Sequence, residues 1–163
     1  MKALLYLFLL ACFVSCNSSS ARKVDPRVLT LPAFNLQLLN NEQIMNTGSL
    51  STNTPVVFMY FSPACVFSRK QTEAIIANYR TLQHIRFLMC SAFPLDQIDT
   101  FYRHYQLNRF NNITVGRDKD LFFEKQLNVP SYPWLFIYTP DRKLKKIITG
   151  FADAQLILDM IKG

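Results

Sequence analysis

Cys65 is the residue of this chain best placed to do chemistry. It stands in Phe61-Ser62-Pro63-Ala64-Cys65-Val66-Phe67-Ser68-Arg69-Lys70, where a β-prone apolar run gives way, past a proline, to a helical pattern. A cysteine there lies just beyond the carboxyl end of a central strand and in the first turn of the next helix. Open α/β sheets carry their sites at that edge. The helix amino terminus aims unpaired N–H groups and the positive end of its dipole at the sulfur, which favours the thiolate. Arg69 and Lys70 add positive charge nearby. Such a sulfur attacks disulfides and forms mixed disulfides. The competing reading is a buried, inert cysteine, common for this residue type. Pro63, which prevents an ordinary continuation of the chain, favours the functional one.

The second stretch is Val129-Pro130-Ser131-Tyr132-Pro133-Trp134-Leu135-Phe136-Ile137-Tyr138. A proline directly before a buried strand shapes the backbone there, and a cis Tyr132–Pro133 bond would do so, because only X-Pro bonds take the cis form cheaply. Tyr132, Pro133 and Trp134, with Phe67 beside the cysteine, are the candidate contacts for a substrate peptide; Tyr132 and Trp134 read equally well as core. Cys90, in the apolar run Phe87-Leu88-Met89, is a candidate second thiol near the same sheet edge, and a core cysteine on the simpler reading. Forming a bond would need the two Cα atoms within about 7 Å. His84 and His104 are the only histidines and have no partner at metal spacing, so neither a metal nor another cofactor is expected. Asp118 and Asp120 flank Lys119 and read as ordinary loop chemistry.

The elements that must position these residues follow from hydrophobic period. Phe34, Leu36 and Leu38 alternate with polar residues, a strand pattern, and Asn40-Asn41 and Asn46-Thr47-Gly48 read as turns. Residues 56–61 and 85–92 are continuous apolar runs that suit strands covered on both faces. Residues 68–83 are helical, with Ile75, Ile76, Tyr79 and Leu82 on one side. Ile98, Phe101, Tyr102 and Tyr105 mark a second helix, for which Asp96 is the expected cap. A short extended piece at 112–115 and a short helix at 121–127 come next. A hairpin then joins 134–138 to 144–149 across Thr139-Pro140-Asp141-Arg142, and a helix closes the chain at 153–161. The predicted class is α/β, a central mixed sheet with helices on both faces.

Composition bounds the rest. The 163 residues are 50% hydrophobic, with 14 Phe and 7 Tyr against 4 Gly, which excludes a disordered or collagen-like chain and suits one domain. The formal charge is +7, yet apart from Arg142-Lys143-Leu144-Lys145-Lys146 the cations are scattered and no nucleic-acid motif accompanies them. That run reads as a solvated strand end. At the start, Lys2 precedes an apolar run over residues 3–14, too short to span a bilayer and right for a secretory signal. Phe13-Val14-Ser15-Cys16 resembles a bacterial lipobox, as does Leu9-Leu10-Ala11-Cys12. Cys16 is preferred as the lipidated residue because Asn17-Ser18-Ser19-Ser20 follows it as a tether. The expected organisation is a signal over 1–15, a lipidated tether over 16–27 and a domain over 28–163. Loss of the signal removes only Lys2 among charged residues and leaves +6. The expected location is the bacterial envelope facing the periplasm, where disulfide chemistry is permitted.

From about Val28 onward the chain resembles the thioredoxin-like superfamily, in the TlpA-like or redoxin branch found among Bacteroidetes lipoproteins. The resemblance is carried by TPVVFMYFSPACVFSRKQTEAI, NITVGRD and VPSYPWLFIYTPDRKLKKIITG. It implies a thioredoxin-like fold and thiol-disulfide exchange, with Cys65 as the attacking cysteine, Pro133 in the cis-proline loop and Gly150 after the last strand. The departures are equally specific. The family's Cys-x-x-Cys reads Cys65-Val66-Phe67-Ser68 here, so the resolving sulfur is replaced by a hydroxyl that can only hydrogen-bond the Cys65 thiolate. The family's buried carboxylate, six positions before the cysteine, is Met59. The peroxiredoxin pattern Pro-x-x-x-Thr-x-x-Cys fails too, with Phe58 at its proline. The resemblance therefore implies either a monomeric, lipid-anchored oxidoreductase that works on disulfide- or thiol-containing envelope proteins through one thiolate, with Cys90 or an external thiol resolving the intermediate, or a thioredoxin-fold binding module without turnover.

Overall fold

The computed structural model describes residues 24–39, 43–50, 53–127 and 131–162. The signal segment and Cys12 and Cys16 lie outside the described residues. Seven strands, β1 (Asn35–Leu38), β2 (Ile44–Asn46), β3 (Val56–Tyr60), β4 (Arg86–Ser91), β5 (Ile113–Arg117), β6 (Trp134–Tyr138) and β7 (Leu144–Thr149), build one sheet in the order β2-β1-β5-β4-β3-β6-β7. The pairs β3–β4 and β4–β5 are parallel and the others antiparallel, so the sheet is mixed. Five helices accompany it: α1 (Val66–Ala77), α2 (Tyr79–Leu82), α3 (Leu95–His104), α4 (Phe122–Leu127) and α5 (Ala154–Lys162).

The continuous apolar runs are explained by burial on both sides. Every residue of β3 and β6 is buried, and successive side chains go to opposite faces. Val57, Met59 and Phe61, with Phe87, Met89, Leu135 and Ile137, face a core closed by Ile75 of α1, Leu82 of α2, Ile98 and Phe101 of α3 and Ile157 of α5. Val56, Phe58 and Tyr60, with Leu88, Cys90, Trp134, Phe136 and Tyr138, face the other way. That second layer is thinner. It is covered by Phe123 of the short α4 and by Val28, Leu31 and Phe34 of the segment before β1. Helices thus lie on both faces, four on one and one on the other.

Several local expectations are corrected. The helix read over 68–83 begins at Val66 and breaks at Asn78, so it is two helices. Asp96 does not cap α3: Pro94 is the N-cap residue and Asp96 sits inside the first turn, where its charge complements the dipole without closing a cap bond. β2 is only three residues long, too short to show a period in the sequence, and is a strand through pairing with β1. Residues 25–27, expected to belong to the tether, have defined structure: Asp25 caps a 3-10 turn at Pro26–Val28, and Leu144 N–H donates to the Leu29 carbonyl just beyond it. Arg142 is not a solvated strand end: its guanidinium donates to the carbonyls of Gly48, Thr47 and Leu31. Gly116 lets β1 approach β5, since a Cβ there would meet Leu36 Cγ at 2.6 Å and the Gln37 carbonyl at 2.7 Å.

Phe123 anchors the thin layer, fully buried and in ring contact with Phe58 (4.3 Å, stacked), Tyr60, Phe34 and Phe136. Phe123→Ala is expected to lower unfolding stability by about 3–5 kcal/mol, measured by denaturant titration. A loss below about 1 kcal/mol would mean that α4 is not a structural part of this face.

Candidate functional site

The chain leaves β3 at its carboxyl end and turns at once. Cys65 N–H donates to the Ser62 carbonyl (3.1 Å), and Arg69 N–H donates to the Cys65 carbonyl (3.1 Å) as α1 begins. Cys65 is the N-cap residue, with extended backbone (φ −76°, ψ 125°) and no cap bond from its side chain. The thiol is half-buried and donates instead to the carbonyl of Tyr132 at 3.3 Å. Arg69 Nε donates to the Pro63 carbonyl (3.1 Å) and braces the same turn.

Tyr132 brings the second loop in. The Tyr132–Pro133 bond is cis, and Pro133 is buried at the amino end of β6. The Pro133 carbonyl accepts from Gly150 N–H at 2.7 Å. Gly150 has φ +89° with no atom within 4 Å of an added Cβ, so backbone conformation rather than space calls for glycine there. Three loops therefore meet at one sheet edge: 62–65, 131–133 and 150–152. The exposed apolar side chains in or next to them are Val66 (57%) and Phe67 (52%), the first two residues of α1, and Phe151 (46%) of the third loop. Val66 and Phe151 were not singled out in the sequence; Phe151 needed the Gly150–Pro133 contact to place it.

Other candidates are placed differently. Ser68 is fully buried, and its hydroxyl oxygen accepts from Ser62 N–H (3.3 Å), so it holds the turn rather than the sulfur. Trp134 is core, 6% exposed, its ring 5.9 Å from that of Phe136; it does not form an apolar rim. Tyr132 is half-buried between the rings of Tyr60 and Phe93, and its hydroxyl donates to Glu124 (3.0 Å). Burial pushes its pKa up to about 12. Cys90 faces the α4 side of the sheet, is fully buried and is a free thiol, as Cys65 is. Burial, with the Asp118 carboxylate beside it, raises its pKa well above the usual thiol range. Nothing brings it to Cys65. Met59 lies in the other core layer, opposite Met89 and Leu135.

Two polar residues the sequence left unremarked or misread complete the surroundings. Gln71 is buried on α1, and its amide pairs both ways with Ala152: Nε2 donates to the Ala152 carbonyl (2.9 Å), and Ala152 N–H donates to Oε1 (2.7 Å). This double bond of hydrogen contacts fastens the cysteine helix to the 150–152 loop. Asp118 is not ordinary loop chemistry: it is fully buried. One carboxylate oxygen accepts from Phe123 N–H (3.0 Å), and the other has no partner among the described residues, as is true of the buried Tyr60 hydroxyl. His84 and His104 are exposed, and the described residues contain no group of three metal-ligating side chains.

Solved structures share this architecture. A secreted Mycobacterium tuberculosis disulfide oxidoreductase homologous to E. coli DsbE matches at TM-score 0.64 and 18% identity, over 84% of this chain and 98% of its own. MTB DsbF matches at 0.65 and 15%, over 84% and 97%. StoA from Bacillus subtilis matches at 0.60 and 9%, over 81% and 98%. No protein-family model matches the chain, and no curated protein does. The fold is thioredoxin-like.

Asp118 generates a pH prediction. Burial raises its pKa above the usual carboxyl value, against the two backbone N–H groups that lower it. The folded state then holds the proton more tightly than the unfolded chain. The stability this contributes is full below the unfolded value of about 4 and is lost as pH rises through the folded value. Asp118→Asn keeps a neutral acceptor, so its stability relative to wild type should climb as pH rises from about 4 and then level off. Thermal unfolding of both proteins across that range checks it; a difference flat with pH would show that Asp118 ionises in the folded protein as it does in the unfolded one.

Proposed function

We propose that this protein is a lipid-anchored thiol-disulfide oxidoreductase of the bacterial envelope that acts through a single thiolate, Cys65. The observation that carries the proposal is the Cys65 thiol at the α1 amino terminus, hydrogen-bonded to the Tyr132 carbonyl beside cis Pro133. The comparable solved structures include a disulfide oxidoreductase, which supports the same reading. The anchor is proposed from Cys16 at the end of the apolar leader, and its membrane and envelope partners follow from that.

The first step needs only Cys65. Its deprotonated sulfur attacks one sulfur of a substrate disulfide, that S–S bond breaks, and a mixed disulfide forms while the departing thiolate takes a proton from solvent. When the thiol reacts, the Tyr132 carbonyl loses its donor and is left facing the substrate chain. Val66, Phe67 and Phe151 offer apolar contact to the residues flanking the substrate cysteine. Resolution cannot come from Ser68, which has no sulfur. A second reading, a binding module without turnover, is favoured by the same residue: the Ser68 hydroxyl is engaged by Ser62 and does not assist the thiol.

Incubating the reduced domain with a disulfide-linked model peptide separates the two. Exchange predicts a long-lived adduct at Cys65, absent in Cys65→Ser and released by added thiol, read by intact mass. Installing the missing sulfur by Ser68→Cys should shorten the adduct's lifetime by at least about tenfold, because an intramolecular thiol replaces a bimolecular one. If wild type forms no adduct, the binding-module reading takes over.

A further inference from the structure

Single-thiol exchange leaves a second thiol to arrive from outside. Cys90 is sealed on the opposite face of the sheet, and Ser68 carries oxygen. A cavity of about 350 Å³ lies against the turn that bears Cys65, within the size range of small-molecule sites. Pro63 and Ala64 form one wall, and Ala64 is the residue directly before Cys65. Arg69 of α1 forms another, and Thr100, Phe101 and His104 of α3 close it.

Its chemistry is one-sided. The Arg69 Nε is held by the Pro63 carbonyl, and its two terminal guanidinium nitrogens have no hydrogen-bond partner among the described residues. No acid lines the cavity, and the first turn of α1 carries none. Glu73, the one acid of α1, accepts from the Tyr105 hydroxyl (3.1 Å). The floor is aromatic, with the Phe101 and Tyr105 rings 4.8 Å apart. A guanidinium with free donors above an apolar floor fits a small organic carboxylate, because the planar fork matches carboxylate geometry.

We infer that this cavity receives a low-molecular-weight thiol bearing a carboxylate, and that this thiol resolves the Cys65 mixed disulfide. The inference rests on the single-thiol reading of Cys65. The incoming thiolate attacks Cys65 Sγ, the Sγ–substrate bond breaks, and the substrate leaves as a thiol after taking up a proton. A second molecule of the small thiol attacks the sulfur now attached to Cys65, releasing the Cys65 thiolate and the oxidised small disulfide. In sum, one substrate disulfide is reduced to two thiols, and two small thiols are oxidised to one disulfide.

The test uses N-acetylcysteine and its uncharged amide as matched probes. Each is allowed to release a neutral peptide from a preformed Cys65 mixed disulfide, and its rate is divided by its rate on the same peptide disulfide-linked to free cysteine. The acid is expected to be favoured over the amide by about three- to fivefold, the scale of one exposed ion pair. Arg69→Gln, whatever it does to the absolute rates by removing the brace on Pro63, should bring the acid-to-amide ratio to about one, while Arg69→Lys retains part of the preference. Thr100→Phe, which fills the cavity from an exposed helical position, should also erase it with Arg69 intact. Equal acid-to-amide ratios in wild type and Arg69→Gln would overturn the inference, as would a preference that survives Thr100→Phe. Failure to form the starting mixed disulfide would instead defeat the exchange reading itself.

Discussion

The register of β3 against β6 is the constraint on which the site depends. The two strands are antiparallel, and Tyr60, the last residue of β3, lies opposite Trp134, the first of β6. The loop leaving β3 and the loop reaching β6 therefore meet at one edge, and Cys65 and Tyr132, 67 residues apart in sequence, come within 3.3 Å. A slip of one residue would exchange the two faces of either strand. It would place Tyr60 and Trp134 among the helices and Met59 and Leu135 on the α4 side. Burial of both strands on both faces makes that costly, so the hydrophobic core sets the distance between a thiol and a carbonyl.

The two faces of the sheet share the work unequally. The face that carries α1, α2, α3 and α5 is closed by aliphatic and aromatic packing, and the cysteine helix is part of it. The other is closed by one short helix and an amino-terminal segment, and it holds four of the six buried polar side-chain groups that lack a hydrogen-bond partner among the described residues: the Tyr60 and Tyr138 hydroxyls, the Trp134 indole nitrogen and one oxygen of Asp118. Buried polar groups without partners cost stability, so this face is the weaker of the two by composition. It also supports Tyr132 from behind, through the ring of Tyr60 and the carboxylate of Glu124. The carbonyl that meets the thiol is thus held from the thinner layer, while the thiol is held by the helix-covered one.

Most of the fold was legible because its signals are local. The runs at β3, β4 and β6 are long, apolar and bounded by prolines or polar residues, and α3 and α5 repeat at helical spacing. The placement of the candidate residues Cys65 and Pro133 was legible for the same reason: a cysteine between a strand and a helix, and a proline at the start of a strand, are patterns in adjacent residues. What escaped depends on partners far along the chain. Arg142 reaches carbonyls more than 90 residues earlier, and Gln71 pairs with Ala152 across 81 positions. Asp118 has the sequence surroundings of an ordinary turn, between a strand and a lysine; only the packing of α4 over it makes it buried. Trp134 was ambiguous between rim and core because strand period gives alternation and not which face is outward.

Ser68 ties the fold to the chemistry most tightly. It occupies the position from which, in the resembled family, a second sulfur would act, yet its oxygen accepts the Ser62 amide and helps close the turn that presents Cys65. Thr72 Oγ1 adds to this by donating to the Ser68 carbonyl at 2.9 Å. An oxygen suits this task better than sulfur, which is the weaker acceptor. The residue that removes an internal resolving thiol is thus also the one that stabilises the loop holding the remaining thiol. Loss of the second sulfur then need not leave a decayed site. On the proposed single-thiol reading the partner of the half-buried Cys65 thiol comes from solution, and the surface beside it, with Arg69 braced on Pro63, is where an arriving partner's charge would be felt first.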